Sequence, residues 1–178
     1  MNTGQMLLTL GALMLISLTI LNFNRNLADI DDSLNYDRFR LEALSLLTSH
    51  IEEVSEYFFD EISTDTTTEK TLSNFTNPNA LGWDTGDDGE ADDIDDFNGQ
   101  VIADTGRSGA IYNLQYTVDY VSIVSNHIQH SGTKQYNKRV TIKIWDAFDP
   151  PLIGRMVNGV MVNDTLQLST VISYWFFN

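Results

Sequence analysis

The stretch MLLTLGALMLISLTILNF, Met6–Phe23, decides how this chain folds and where it can reside. Its only polar residues are Thr9, Ser17, Thr19 and Asn22. Eighteen helical residues at about 1.5 Å each span roughly 27 Å, close to the thickness of a bilayer's hydrocarbon core. A cleavable secretory signal has a basic start and a small-residue cleavage site. No Lys or Arg precedes Arg25, and Asn22-Phe23-Asn24 is a poor cleavage sequence, so the run is expected to be retained. Arg25, Arg38 and Arg40 are interleaved with Asp29, Asp31 and Asp32 and indicate no orientation.

Helical periodicity continues beyond the apolar run. Leu27, Ile30, Leu34, Leu41, Leu44, Leu47, Ile51, Val54, Phe58 and Ile62 recur at steps of three, four and seven, one apolar stripe on a polar rod. No Pro occurs before Pro78 and no Gly lies between Gly11 and Gly82, while Arg38 and Glu42 pair opposite charges at helical spacing. The pattern predicts one helix from about Gly4 to Ile62, on the order of 85–90 Å long. The alternative is a short anchor, a break at Asn22–Asn26 and a second helix. Gly4, Gly11, Ala12 and Ser17 would let such helices approach closely. Thr9, Ser17 and Thr19 can return their hydroxyl bonds to the helix's own carbonyls. Alone in water the run would expose roughly a dozen apolar side chains, most costing about 1.5 kcal/mol or more each. Bundling with copies of itself or with a partner removes that cost; so does remaining in a bilayer as a simple anchor.

The rest of the 178-residue chain has a different character. There are 25 acidic and 10 basic residues, a net charge of −15, which repels nucleic acid and anionic membrane faces. DNA and RNA are therefore excluded as partners. With no cysteine there is no disulfide framework, no thiolate zinc site and no thiol nucleophile. Thr64–Pro78 is rich in Thr, Ser and Asn and reads as a surface connection. Two sequons, Asn74-Phe75-Thr76 and Asn163-Asp164-Thr165, make Asn74 and Asn163 candidate glycosylation sites.

WDTGDDGEADDIDDFNG, Trp83–Gly99, carries eight acidic residues between Asp84 and Asp96. Repulsion at that density calls for solvation or a cation. Asp84, Asp87, Asp88, Glu90 and Asp92 are candidate Ca²⁺ ligands, since calcium takes about six to eight oxygens from carboxylates and turn carbonyls. Their spacing is not that of an EF-hand, and a merely solvated acidic loop is the other reading. In both, Ile94 and Phe97 are apolar islands expected to pack inward while the carboxylates face out.

From Ala110 the period changes to two. Leu114, Tyr116, Val118 and Tyr120 alternate with Gln115, Thr117 and Asp119; Val140, Ile142 and Ile144 with Thr141, Lys143 and Trp145; and Leu166, Leu168, Thr170 and Ile172 with Gln167, Ser169, Val171 and Ser173, three expected strands. Asn126–Tyr136 reads as a hairpin-like connection, and Met156–Val162 as a small hairpin around Asn158-Gly159. Asp149-Pro150-Pro151 closes the second strand. An antiparallel sheet with one apolar face needs a cover, and the Leu41–Ile62 stripe is the large candidate. The aromatic end, Tyr174–Asn178, reads either as a terminal strand in the core or as a contact patch. The fold class is α+β, a long N-terminal helix packed on a C-terminal antiparallel sheet. The segments are an apolar helix over 1–26, its amphipathic continuation over 27–63, a connection with the acidic loop over 64–109, and the sheet head over 110–178.

No phosphate-binding loop, nucleophile elbow, zinc-protease or dinucleotide fingerprint occurs. His127 and His130 are the one close histidine pair, at a spacing that splits them between strand faces. Paired aspartates in a polyacidic loop are a poor scaffold for acid–base work, so no catalysis is expected.

An apolar N-terminal helix that turns amphipathic and precedes an antiparallel sheet resembles the type IV pilin superfamily of pilins, minor pilins, pseudopilins and archaeal relatives. Bacterial members usually begin with Phe and carry Glu four residues later; Met1 and Gln5 occupy those places here. Processing after Gly4 would instead make Gln5 the first residue, as in many archaeal-type members. The resemblance implies a membrane protein exported and assembled by pilus machinery into a helical homopolymer on the cell surface. The filament core would then be lined by Gln5, Leu8, Gly11, Leu15, Leu18 and Leu21. A minor pilin or pseudopilin that primes a filament is the neighbouring alternative. A monomeric, membrane-anchored extracytoplasmic binding domain is the alternative from another class.

Overall fold

The computed structural model describes residues 2–64, 70–83, 90–157 and 160–174. Helix α1 spans Thr3–Val54 without a break, and a short α2 covers Glu61–Thr64. The strands are β1 Val101–Thr105, β2 Ile111–Val124, β3 His127–His130, β4 Asn137–Asp146, β5 Gly154–Val157, β6 Val160–Asn163 and β7 Leu166–Ser173. The fold is α+β, as the change of period from helix to strand leads one to expect. The chain divides into two compact units, Met1–Arg40 and Leu41–Asn178.

In the second unit the sheet runs β1-β2-β4-β7, with β3 pairing the far end of β2. Every pairing is antiparallel. β1 and β3 lie outside the three period-two runs. β1 adds an edge ahead of Ala110. β3 returns from β2 through Ser125 and Asn126, both at positive φ (51° and 62°), which sets a two-residue hairpin turn whose twist matches the strands. β5 and β6 form the small hairpin expected there; Asn158 and Gly159 lie outside the described residues.

The inward face of the sheet follows the predicted alternation. Tyr112, Leu114, Tyr116, Val118 and Tyr120 of β2 are buried. Opposite them in register stand Asp146, Ile144, Ile142, Val140 and Lys138 of β4. The residues on that face of β4 are also buried, so an aspartate and a lysine close the two ends of an otherwise aliphatic row. The outer face is polar: Arg139 grips Asp119 through Nε at 3.0 Å and Nη2 at 2.7 Å.

The last turns of α1 cover this face with part of the long stripe, Leu47 and Val54, and with Ala43 from beside it. Ala43, Leu47 and Val54 are fully buried, with His50 half-buried between them. Leu41 and Leu44 lie off that face, 67% and 45% exposed. The helix also stops at Val54, short of Ile62. Its last turn holds Glu52 and Glu53 and no basic residue, which opposes the negative end of the helix dipole. The aromatic run Tyr57-Phe58-Phe59 that follows is a weak helix former. A tertiary pairing takes it instead: Ile94 N–H donates to Phe58 O at 2.9 Å, and Phe58 bridges Asp93. Phe58 is thereby left 56% exposed, while Phe59 and Asp60 turn into the core.

Tyr174 continues from β7 and packs on Phe59 and Phe75 at ring distances of 5.6 and 5.3 Å; residues 175–178 lie outside the described residues. Leu47→Ala is expected to cost about 2–5 kcal/mol, whereas Leu44→Ala should fall within about 0.5 kcal/mol. Denaturant unfolding of the detergent-solubilised chain measures both, and equal losses would contradict this assignment of the covering face.

Candidate functional site

Two features are candidates for function, one in each unit. The first is the apolar part of α1. Its best 18-residue window has a mean hydropathy of 2.1, none of it is buried, and the helix is long and apolar enough to cross a membrane. Leu7, Leu8 and Leu10 are 72%, 76% and 69% exposed. A shallow groove runs past Gly4 and Gly11 between Leu7, Leu8, Leu15 and Leu18. No heavy atom beyond the local helix comes within 4 Å of where a Cβ would stand on either glycine. The segment's hydroxyls are turned inward on the backbone. Thr9 donates to Met6 O at 2.9 Å, Ser17 to Leu13 O at 2.9 Å, and Thr19 to Ile16 O at 2.8 Å. The surface is therefore nearly without free donors, suited to lipid or to another apolar helix. Of the six residues expected to line a filament core, Leu8, Leu15, Leu18 and Leu21 are large exposed apolar side chains, and Gln5 and Gly11 are also exposed.

The second feature lies where the acidic stretch meets the sheet. Ile94 is fully buried, and Phe97 packs edge-on against Tyr57 and tilted against Tyr116, at ring distances of 5.0 and 5.5 Å. The expectation that the neighbouring carboxylates face out is corrected: Asp93, Asp95 and Asp96 are 1–3% exposed. The backbone explains their inward course. Asp95 N–H donates to Asp93 Oδ1 at 2.7 Å, and Asp92 N–H donates to Asp96 Oδ2 at 3.0 Å. The short 3-10 turn Asp95–Phe97 is thus wound around its own side chains.

Lys138, fully buried, is the cation these carboxylates meet. Its Nζ donates to Asp95 Oδ1 at 2.5 Å, Asp60 Oδ2 at 2.9 Å and Phe59 O at 2.6 Å. The same nitrogen sits 4.7 Å from the Phe59 ring centre. Asp60 also accepts from Thr76 N–H at 3.1 Å, the Thr76 hydroxyl at 3.2 Å and the Tyr120 hydroxyl at 3.0 Å. Burial, then the Asp95 charge, push the Asp93 carboxyl up to about 9, so it holds its proton at neutral pH. Burial raises Asp95 as well, against the opposing pull of Lys138. Among the described residues no buried side-chain polar atom lacks a partner.

Sequence reasoning missed this network. Its one legible trace is that Lys138 stands in the inward phase of β4, two residues before Val140. Of the proposed calcium ligands, Asp84, Asp87 and Asp88 lie outside the described residues, and Glu90 and Asp92 are exposed. Among the described residues no group of three or more His, Asp or Glu side chains is arranged to hold a metal. Asn74 and Asn163 are both exposed, the latter donating to Asp146 O at 3.3 Å. His127 and His130 stand on exposed β3, where His130 meets Asp119 at 2.9 Å.

An acid whose folded pKa lies above its unfolded value favours the folded state most at low pH, and loses that contribution as pH rises. For Asp93 the window runs from 3.8 to about 9. Wild-type stability should decline across it by at most about 1.4 kcal/mol per pH unit from this group. Asp93→Asn, which keeps an acceptor for the Asp95 and Asp96 N–H groups, should flatten the slope. Urea unfolding between pH 5 and 9 reads it, and an unchanged slope would rule out a neutral Asp93. Comparison with known protein families, curated proteins and solved structures finds no match to this chain.

Proposed function

We propose that this chain is the structural subunit of an extracellular pilus-like filament of the type IV pilin kind, assembled through its N-terminal apolar helix. One observation carries the reading: the Thr3–Val54 helix contains an apolar window of which nothing is buried, while Leu41–Asn178 has a packed core of its own. Exposed Leu, Ile and Met side chains are worth roughly 1.5–3 kcal/mol each on burial. In this reading a membrane covers the segment before assembly, and copies of the same segment cover it afterwards. Gly4 and Gly11 supply close approach, and Leu8, Leu15, Leu18 and Leu21 supply the packed area. Export and assembly machinery would supply the transfer, and the acidic outer surface suits a cell-surface, cation-rich setting. The exposed Glu90 and Asp92, with Asp84, Asp87 and Asp88, would bind Ca²⁺ on the head in this reading.

The same exposed helix favours a second reading, an anchored domain that stays monomeric in the bilayer. The two separate on removal of detergent from the full-length chain. Filaments visible by electron microscopy are expected for the wild type, and their loss in L8K/L15K. A wild-type chain that stays monomeric in vesicles supports the anchor. A chain that is soluble and monodisperse without detergent or lipid sinks both. A minor or priming subunit would co-purify with sheared surface filaments at low abundance, whereas a major subunit would form their bulk.

A further inference from the structure

Lys138, Asp95, Asp93 and Asp60 form an arrangement that a salt bridge alone does not require. An amine nitrogen lies 2.5 Å from a carboxyl oxygen, both groups almost wholly buried. The site is walled by the Phe59 and Tyr120 rings, 4.7 and 5.4 Å from Nζ. A second carboxyl group, Asp93, lies beside the first, two residues back in the same turn, and its Oδ1 accepts the Asp95 N–H at 2.7 Å. A third, Asp60, touches the amine from another direction at 2.9 Å. We infer that Lys138 Nζ and Asp95 Cγ condense into an amide, a covalent cross-link tying the Asp95–Phe97 turn to β4.

The four groups divide the chemistry between them. Asp60 receives donors on both oxygens from Thr76 and Tyr120, in addition to Lys138. A carboxylate so surrounded is a poor electrophile, and it serves as the base. Asp95 is the electrophile because the acid beside it, Asp93, can protonate it. That Asp93 is pushed up to about 9 means the proton is present at neutral pH.

One ammonium proton passes from Lys138 to Asp60, and Asp93 gives its proton to the Asp95 carboxylate. The freed lone pair on Nζ attacks Cγ, forming the N–C bond. Asp93 takes back a proton from the tetrahedral intermediate's nitrogen. Asp60 returns its proton to the Asp95 hydroxyl as the Cγ–O bond breaks, and water leaves with the bonding pair. Asp60 and Asp93 end as they began. The sum is an ammonium and a carboxylate converted to an amide and one water, with no oxidant or activated intermediate.

Two physical terms favour the step. Held contact of this kind corresponds to effective molarities of about 10⁵–10⁸ M. Burial penalises the two charges and not the neutral amide, and the water released gains the bulk solvent. The link would join positions 43 residues apart in a chain without cysteine. The inference does not depend on the filament reading.

The test is the intact mass of the full-length, detergent-solubilised protein under denaturing conditions, followed by peptide mapping. The expected wild type is lighter than its sequence by one water and yields a branched peptide joining Lys138 to Asp95. Lys138→Arg and Asp95→Ala should restore the full mass. Asp93→Asn, which keeps the acceptor for the turn's N–H groups but cannot shuttle a proton, should stay uncondensed or lose water many-fold more slowly. A folded wild type at full sequence mass overturns the inference. So does a water loss found within a linear peptide, since that marks an aspartyl imide.

Discussion

The head is organised by a match of repeats between helix α1 and strand β2. Tyr112 and Tyr116 stand four residues apart on the inward face of the strand, an advance of about 13.6 Å. Glu42 and His50 stand eight residues apart on the helix, an advance of about 12 Å. The Tyr112 hydroxyl donates to Glu42 at 3.0 Å, and the Tyr116 hydroxyl shares a hydrogen bond with His50 at 2.9 Å. Tyr120, one step further, reaches Asp60 just beyond the helix end. Burial holds all three phenols well above their ordinary range, so they remain protonated partners. Each large ring is buried on the inward face of the sheet, and each hydroxyl closes a polar group at its edge. Glu42 extends the clasp by accepting the Ser108 N–H and hydroxyl, both at 2.6 Å. Gly106 makes room for it, since a Cβ there would lie 2.5 Å from the Glu42 carboxyl carbon.

At the end of that ladder the chain does something costly. It buries a lysine and several carboxyl groups in a wall of aromatic rings, where charges lose most of their hydration. The cost is offset by completeness: three acceptors meet the lysine, and both oxygens of Asp60 are served. The network also ties together segments distant in sequence. Phe59–Asp60, Thr76, the Asp93–Asp96 turn and β4 meet there with β2. In a chain without disulfides, this knot anchors the long connection to the sheet.

The two units face opposite solvents. Leu41–Asn178 has a conventional inside and outside, with an aliphatic and aromatic core. The apolar part of α1 has no inside; its backbone is satisfied internally, its hydroxyls are turned back on its own carbonyls, and its side chains are all outward. Such a segment needs an apolar surrounding supplied from outside the chain, whether lipid or another helix. The filament reading and the anchor reading differ only in which of these is the lasting one.

The sequence by itself determined the elements and their order. The apolar run, with no Pro before Pro78 and no Gly between Gly11 and Gly82, gives one helix, because a helix forms from local hydrogen bonds and local spacing. Strict alternation gives β2, β4 and β7 and names their inward faces, because a pleated strand has a period of two whatever it pairs with. Lys138 stands in the same phase as Val140, Ile142 and Ile144, but nothing local says what it meets. Tertiary structure decided where the helix ends, which of its sides is covered and which way the aspartates point. Leu41, Leu44 and Leu47 all read as core by spacing, yet of these only Leu47 is buried, with Ala43 beside it. Asp93, Asp95 and Asp96 read as solvated because most acidic runs are. Asp95 turns inward to Lys138, 43 residues away in the chain, and Asp93 and Asp96 accept N–H groups of the turn that this contact holds in place. The direction of a charged side chain depends on which counter-charges the fold brings near, and that is a long-range property no local pattern encodes.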